Sequence, residues 1–273
     1  MDTFHEVNGN LLRVRLQGEA GPLVVFGHGL LGSIEQLDSV AGVVNALVQD
    51  LRVLVYDARG HGRSAGPSDT AGYTWESLGR DMTALIDVVG DRQAILGGVS
   101  MGAASALWAA IEQPERVRGL ALVMPPPLGQ ESMRAGAEKQ ALQVLEMLAA
   151  MVESFGVDKT VELARNFPGF GQSPEEREAQ LRFLLDQNPL ALLYAIRGLI
   201  QAPFHHPEAY RRISAPTLVL AHEGDGLHPV RAAQLLADSI RGCRLRIGPE
   251  PDYWQRHPDE LLAELRAFLV QLG

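Results

Sequence analysis

The chain has 273 residues, 46% hydrophobic and 21% charged, an ordinary balance for a globular protein that can bury a large core in one α/β unit. Its net charge of −9 at pH 7 argues against nucleic acid as a partner, because such binding rests on phosphate neutralisation by basic patches. The lone Cys243 excludes an intrachain disulfide, and neither a leader peptide nor a bilayer-length apolar run is evident, so a cytoplasmic location without a membrane partner is expected.

Strand-like and helix-like segments alternate along the chain, which points to a mostly parallel sheet covered on both faces. Strands are expected near 11–16, 23–27, 52–56, 94–99, 119–124, 216–221 and 243–247, and helices near 36–49, 75–89, 101–113, 230–239 and 258–271. The run Leu23 to Phe26 leads into Gly27-His28-Gly29-Leu30-Leu31-Gly32-Ser33, a glycine-rich turn able to aim a backbone N–H at developing negative charge. The next strand ends in the polar turn Asp57-Ala58-Arg59-Gly60-His61-Gly62-Arg63-Ser64.

Gly98-Val99-Ser100-Met101-Gly102 then separates the apolar run Ala94 to Gly97 from a small-residue helix, so Ser100 falls on a strand-to-helix turn. That is the geometry of a nucleophile elbow, with glycines two residues either side of an exposed hydroxyl. The amides of Leu30 and Met101 are the expected oxyanion donors. From Pro125 to about Arg212 the pattern is helical throughout, with Leu142, Leu145, Leu148, Ala149 and Val152 at three-to-four spacing. A strand, Thr217 to Ala221, and the turn His222-Glu223-Gly224-Asp225-Gly226-Leu227-His228-Pro229 follow.

Strand-His-Gly, strand-Asp-x-Arg-Gly-His-Gly-x-Ser and strand-Gly-x-Ser-x-Gly in this order resemble the α/β-hydrolase family, over roughly residues 4–125 and again over 213–270. The resemblance implies an α/β-hydrolase fold in the α/β class. Its mostly parallel central sheet is flanked by helices, and a helical cap is inserted after the sixth strand. Residues 1–127 and 213–273 would form the core domain and 128–212 the cap, or lid. His28 and Gly29 are assigned to the substrate pocket, although His28 and His61 also suit a buttressing role. In the cap, Met133, Met147, Met151, Phe155, Phe167, Phe170, Phe183 and Tyr194 would either line a pocket for a small hydrophobic substrate or pack the insertion on the sheet domain. A homodimer is compatible with the sequence.

Asp225, in the turn four residues before Pro229, resembles the triad acid. The family's histidine, about four residues past the last strand, has no counterpart, because Pro251 stands there and cannot carry a proton. The nearest replacement is His257. His228, three residues past Asp225, is ranked below it because its side chain could turn into the core, and Glu250 and Asp252 are poorer bases unless burial raises their pKa. No cofactor is implied, and no histidine shows metal-ligand spacing.

Three readings stay open. One is a serine hydrolase of a carboxylic ester, lactone or thioester, through a Ser100 acyl-enzyme, Asp225 and His257. The second is a lyase, cyclase or isomerase using the same pocket. The third is a catalytically impaired ligand-binding homologue.

Overall fold

The computed structural model describes residues 1–39, 47, 50–128, 136–165, 178, 181, 184–185 and 187–272. Among them, β1 (Asp2–Val7), β2 (Asn10–Gln17), β3 (Leu23–Gly27), β4 (Arg52–Tyr56), β5 (Ala94–Val99), β6 (Val117–Val123), β7 (Thr217–His222) and β8 (Arg244–Gly248) form one sheet. The strand order is β1-β2-β4-β3-β5-β6-β7-β8. β2 pairs antiparallel with β1 and β4, and every other pairing is parallel, as the alternation of strand and helix predicts. Strands β3 and β7 are buried along their whole length, which is why they read as nearly unbroken apolar runs. β1 is not among the expected strands, since Asp2-Thr3-Phe4-His5-Glu6-Val7 is a largely exposed edge strand with no apolar run to mark it.

Among the described residues the α-helices longer than one turn are α1 (Ile34–Ser39), α2 (Trp75–Val89), α3 (Met101–Glu112), α4 (Ala137–Ala164), α5 (Pro189–Gln201), α6 (Val230–Ser239) and α7 (Pro258–Leu269). The predicted helix 36–49 begins as α1, and most of its remainder lies outside the described residues. Thr74 and Ser77 form a reciprocal capping box that starts α2, and Gly90, left-handed at φ 82°, ends it. Asn188 caps α5 by accepting from the amides of Leu190 and Ala191, with Pro189 in the first turn. Between β6 and β7, α4 is interrupted at Gly156 (φ 77°), and α4 and α5 pack together through Leu148, Val152, Leu192 and Ile196.

One apolar core joins the sheet to α2 and α3 through Leu96, Met82, Leu85 and Leu107. A second, on the opposite face, joins Val24, Val55 and Val123 to α7 through Leu261 and Leu265. Burial of these side chains supplies the main driving force for the fold, and the strand ends carry the site. No helix among the described residues is long and apolar enough to cross a membrane.

Candidate active site

Three glycines set the shape of the turn at Ser100. A Cβ on Gly98 would lie 2.4 Å from the Gly27 carbonyl oxygen, and one on Gly102 would lie 2.3 Å from the same atom. The tip of β3 therefore touches the backbone on both sides of the serine. Ser100 is left at positive φ (φ 52°, ψ −105°), held by its amide on the Val123 carbonyl at 2.9 Å and by the Gly102 amide on the His28 carbonyl at 3.0 Å. A non-glycine residue at positive φ is strained, and the surrounding packing holds it there.

The Ser100 hydroxyl meets an imidazole. His228 Nε2 lies 2.8 Å from Ser100 Oγ, and its Nδ1 lies 2.8 Å from Asp225 Oδ2. With Nδ1–H donating to the carboxylate, Nε2 presents its lone pair to the hydroxyl. The other carboxylate oxygen, Oδ1, accepts from the amides of Leu227 at 2.7 Å and His228 at 2.9 Å, an Asx turn that folds the histidine back over its own acid. Burial pushes the Asp225 carboxyl up, but the hydrogen bond and charge of the imidazole and the two amides outweigh it, holding the group below the usual carboxylate range.

His257 does not join this chain. Its ring is 41% exposed, lies 3.6 Å from Glu250 and 3.7 Å from Glu260, and stacks on Tyr253 at a centroid distance of 4.3 Å. The physical cause is the one-turn helix Tyr253–Arg256, whose Trp254 is buried and donates to the Ala221 carbonyl at 2.8 Å, so the following residue faces outward at the start of α7. Glu250 faces the same exposed ring. Pro251 packs on the acid turn instead, where a Cβ on Gly224 would come within 2.6 Å of its Cγ. The signal in the sequence that points to His228 is its spacing, since an aspartate side chain that captures the amide three residues on brings that residue's ring within reach.

His28 also needs correction as a pocket residue. It is fully buried, donating from Nδ1 to the Gly29 carbonyl at 2.7 Å and accepting from the Ala58 amide at Nε2 at 2.9 Å. Burial pulls its pKa down to about 4, so the ring is a neutral buttress. His61 stands behind it, ring centroids 5.2 Å apart, pulled down to about 3 by burial and by His28. Gly29 faces the serine directly, with room for a Cβ at 3.7 Å from that of Ser100.

The turn holding Leu30 is braced from several sides. Asp57 accepts from the Ile34 amide at 2.7 Å and the Arg63 amide at 2.9 Å, and Ser64 bridges the Asp57 carbonyl and the Arg13 amide. Arg59 forks onto Asp81 of α2 with two contacts of 2.7 Å. The Asp57 to Ser64 motif is thus scaffolding. Among the described residues, the amides of Leu30 and Met101 donate to no protein acceptor, and both residues line the same cavity as Ser100.

That cavity, about 570 Å³ including its mouth, is walled by Leu30, Trp75, Pro126, Leu128, Leu142, Leu145, Leu199 and Leu227 among others, and among the described residues none that lines it is charged. Met147, Met151, Phe155 and Tyr194 are not among the lining residues, and Phe155 is exposed on the outside. Met133, Phe167, Phe170 and Phe183 lie outside the described residues. From α4 and α5, the aliphatic residues Leu142, Leu145, Leu199 and Ile200 line the cavity.

Comparison with known proteins bears on the fold. A family model described as alpha/beta hydrolase fold matches residues 22–249. The chain is 30% identical over 199 residues to 3-oxoadipate enol-lactonase 2 of Acinetobacter baylyi, covering 71% of this chain and 69% of that one. It is 37% identical over 117 residues to the sn-1-specific diacylglycerol lipase ABHD11 of Mus musculus, covering 42% of this chain but 36% of that one. The crystal structure of a hydrolase from Pseudomonas aeruginosa PA01 superposes with a TM-score of 0.80 at 27% identity, over 98% of each chain.

Proposed function

The chain belongs to the alpha/beta hydrolase fold family, and from that premise we propose that it is a serine hydrolase of a carboxylic ester, lactone or thioester with an uncharged, apolar acyl part. One observation carries the reading: the unbroken chain from Ser100 through His228 to Asp225, with both contacts at 2.8 Å. Serine is a weak nucleophile until a neighbouring base can take its proton. Here His228 Nε2 takes that proton as Oγ attacks the carbonyl carbon, and Asp225 stabilises the imidazolium and fixes the ring.

The tetrahedral oxyanion forms between the Leu30 and Met101 amides, whose freedom from protein acceptors among the described residues suits them to it. Collapse expels the leaving oxygen or sulfur, which takes the proton from His228. Water, activated by the same imidazole, then releases the acid and restores the serine. Residues 128–212 act as the cap, since Leu142, Leu145, Leu199 and Ile200 from that segment close the cavity over Ser100.

His228 beside Ser100 supports hydrolysis over the readings that rest on a missing base. The test is covalent labelling with a fluorophosphonate probe. Label found on Ser100 by peptide mass spectrometry, and lost in both Ser100→Ala and His228→Ala, is the expected result; an unlabelled wild type overturns the reading.

A further inference from the structure

Gly198 lies inside α5, is buried, and does not sit at positive φ, so its own backbone gives no reason for glycine, a poor helix former. The reason is a contact. A Cβ there would lie 2.6 Å from the Thr70 carbonyl oxygen, 2.7 Å from that of Tyr73 and 2.8 Å from the Tyr73 Cβ. α5 therefore rests backbone to backbone on the segment that leads into α2, closer than any side chain would allow. That segment is fixed by its own bonds. Tyr73, fully buried, donates its hydroxyl to the Pro67 carbonyl at 3.1 Å, and the Gly72 carbonyl accepts from Arg59 Nη1 at 2.8 Å and from Ser77 Oγ at 3.0 Å. Residues next to the contact on both elements belong to the cavity wall: Trp75, two positions after Tyr73, and Leu199 and Ile200, directly after Gly198.

We propose that Gly198 determines the shape of substrate accepted: by seating α5 directly on the 70–73 segment it keeps Leu199 and Ile200 close to Trp75, so that the cavity takes an unbranched hydrocarbon chain and refuses a branched one. The proposal rests on the hydrolase reading above and deepens it. A methyl group at residue 198 has to displace one of the two backbones, because a close-packed interior transmits such a misfit instead of absorbing it. With the 70–73 segment tied to Pro67, Arg59 and Ser77, α5 is the element that gives way, and it carries its wall residues with it. The gap beside Trp75 then widens, while Ser100, Asp225 and His228 follow β5 and β7 and keep their places.

The experiment compares p-nitrophenyl esters of straight-chain acids with their isomers branched toward the far end of the chain, each corrected for its rate of alkaline hydrolysis. Wild-type protein is expected to favour the straight chain in kcat/KM. Gly198→Ala is expected to cut that preference by about tenfold, the lower end of what one misfitting methylene is worth in an apolar pocket, and to do so by raising kcat/KM toward the branched ester. A variant that merely loosened the fold would lose activity toward both esters alike. Equal changes on the two, or wild-type protein that turns over both isomers equally well, would overturn the proposal.

Leu199→Ala opens the same gap from the wall without touching the contact, and it should relax the preference too. It decides if Gly198→Ala does not fold, since an unchanged preference there means that this wall does not limit the substrate. Binding of the ester pair to Ser100→Ala, measured by calorimetry with and without Gly198→Ala, needs no turnover. The same relaxation in binding upholds the contact even where hydrolysis fails, and identical binding ratios, or binding of neither ester, overturn it even where hydrolysis stands.

Discussion

Asp225 and His228 stand three residues apart in one turn, and the same carboxylate binds the histidine twice, through its backbone amide at 2.9 Å and its ring Nδ1 at 2.8 Å. Acid and base are thus set by local backbone geometry. The loop after β8, which in the resembling family delivers the histidine, serves the scaffold here, with Pro251 and Trp254 bracing β7 and the acid turn from outside.

His228→Ala should lower kcat toward a model ester by about 10³-fold or more, in line with the loss of a general base that acts as a unit with its nucleophile. His257→Ala should stay within about twofold of wild type, as expected of an exposed side chain away from the site. The two variants assayed side by side with a p-nitrophenyl ester discriminate cleanly, and an inactive His257→Ala with an active His228→Ala would reverse the assignment.

The contact between Gly224 and Pro251 predicts a coupled pair. Gly224 sits at φ 80°, and a side chain there meets Pro251 Cγ at 2.6 Å, so Gly224→Ala combines backbone strain with a clash and should cost about 1–3 kcal/mol. Pro251→Ala removes the clashing atoms and should recover part of that cost in the double variant, leaving the strain of the positive φ. Urea unfolding of the four proteins gives the coupling energy directly; simple additivity would contradict it.

The parts of the site that can be read from the sequence are those fixed by local sterics. Gly98 and Gly102 announce the elbow because no Cβ fits against Gly27, and Asp225 lies in a turn whose residue types are themselves informative. His228 is harder to see, since periodicity says nothing about where a ring points when an Asx turn folds it back. The pocket wall is hard to read for a related reason. Flexible and aromatic residues in a helical insertion can face either way, and Phe155 proves to face water while leucines line the cavity. Strand β1 leaves no mark in the sequence because its pairing to β2, not its own hydrophobicity, makes it a strand.

Gln187 ties two loops that precede α5 in sequence by more than a hundred residues. Its Oε1 accepts from the Gly62 amide at 2.8 Å and its Nε2 donates to the Gly32 carbonyl at 3.4 Å, so it spans the Asp57 motif and the turn that carries Leu30. Gln187→Ala should loosen the Leu30 amide and lower kcat by about tenfold, less than removal of an oxyanion donor itself, with a smaller change in KM. Gln187→Asn, too short to span both loops, should resemble the alanine variant, and wild-type kcat in both would separate this tie from catalysis.

Acid should destabilise the fold before its carboxylates protonate. His28 and His61 are buried neutral, with pKa values pulled down to about 4 and about 3 from the ordinary 6.5, chiefly by desolvation and only partly opposed by the Gly29 carbonyl and Glu35 for the first and by the Arg59 carbonyl and Asp57 for the second. Below pH 6.5 the unfolded chain takes up protons at both positions and the folded chain does not. Their contribution is therefore complete above 6.5 and declines as pH falls toward the folded values. At pH 5 each histidine should withdraw about 2 kcal/mol of stability relative to pH 7. Urea midpoints measured across that window should fall steadily, and His61→Asn should flatten the slope by about half. A midpoint unchanged between pH 7 and pH 5 would mean that the two rings are protonated within the fold, and the neutral buttress behind the Leu30 turn would have to be abandoned.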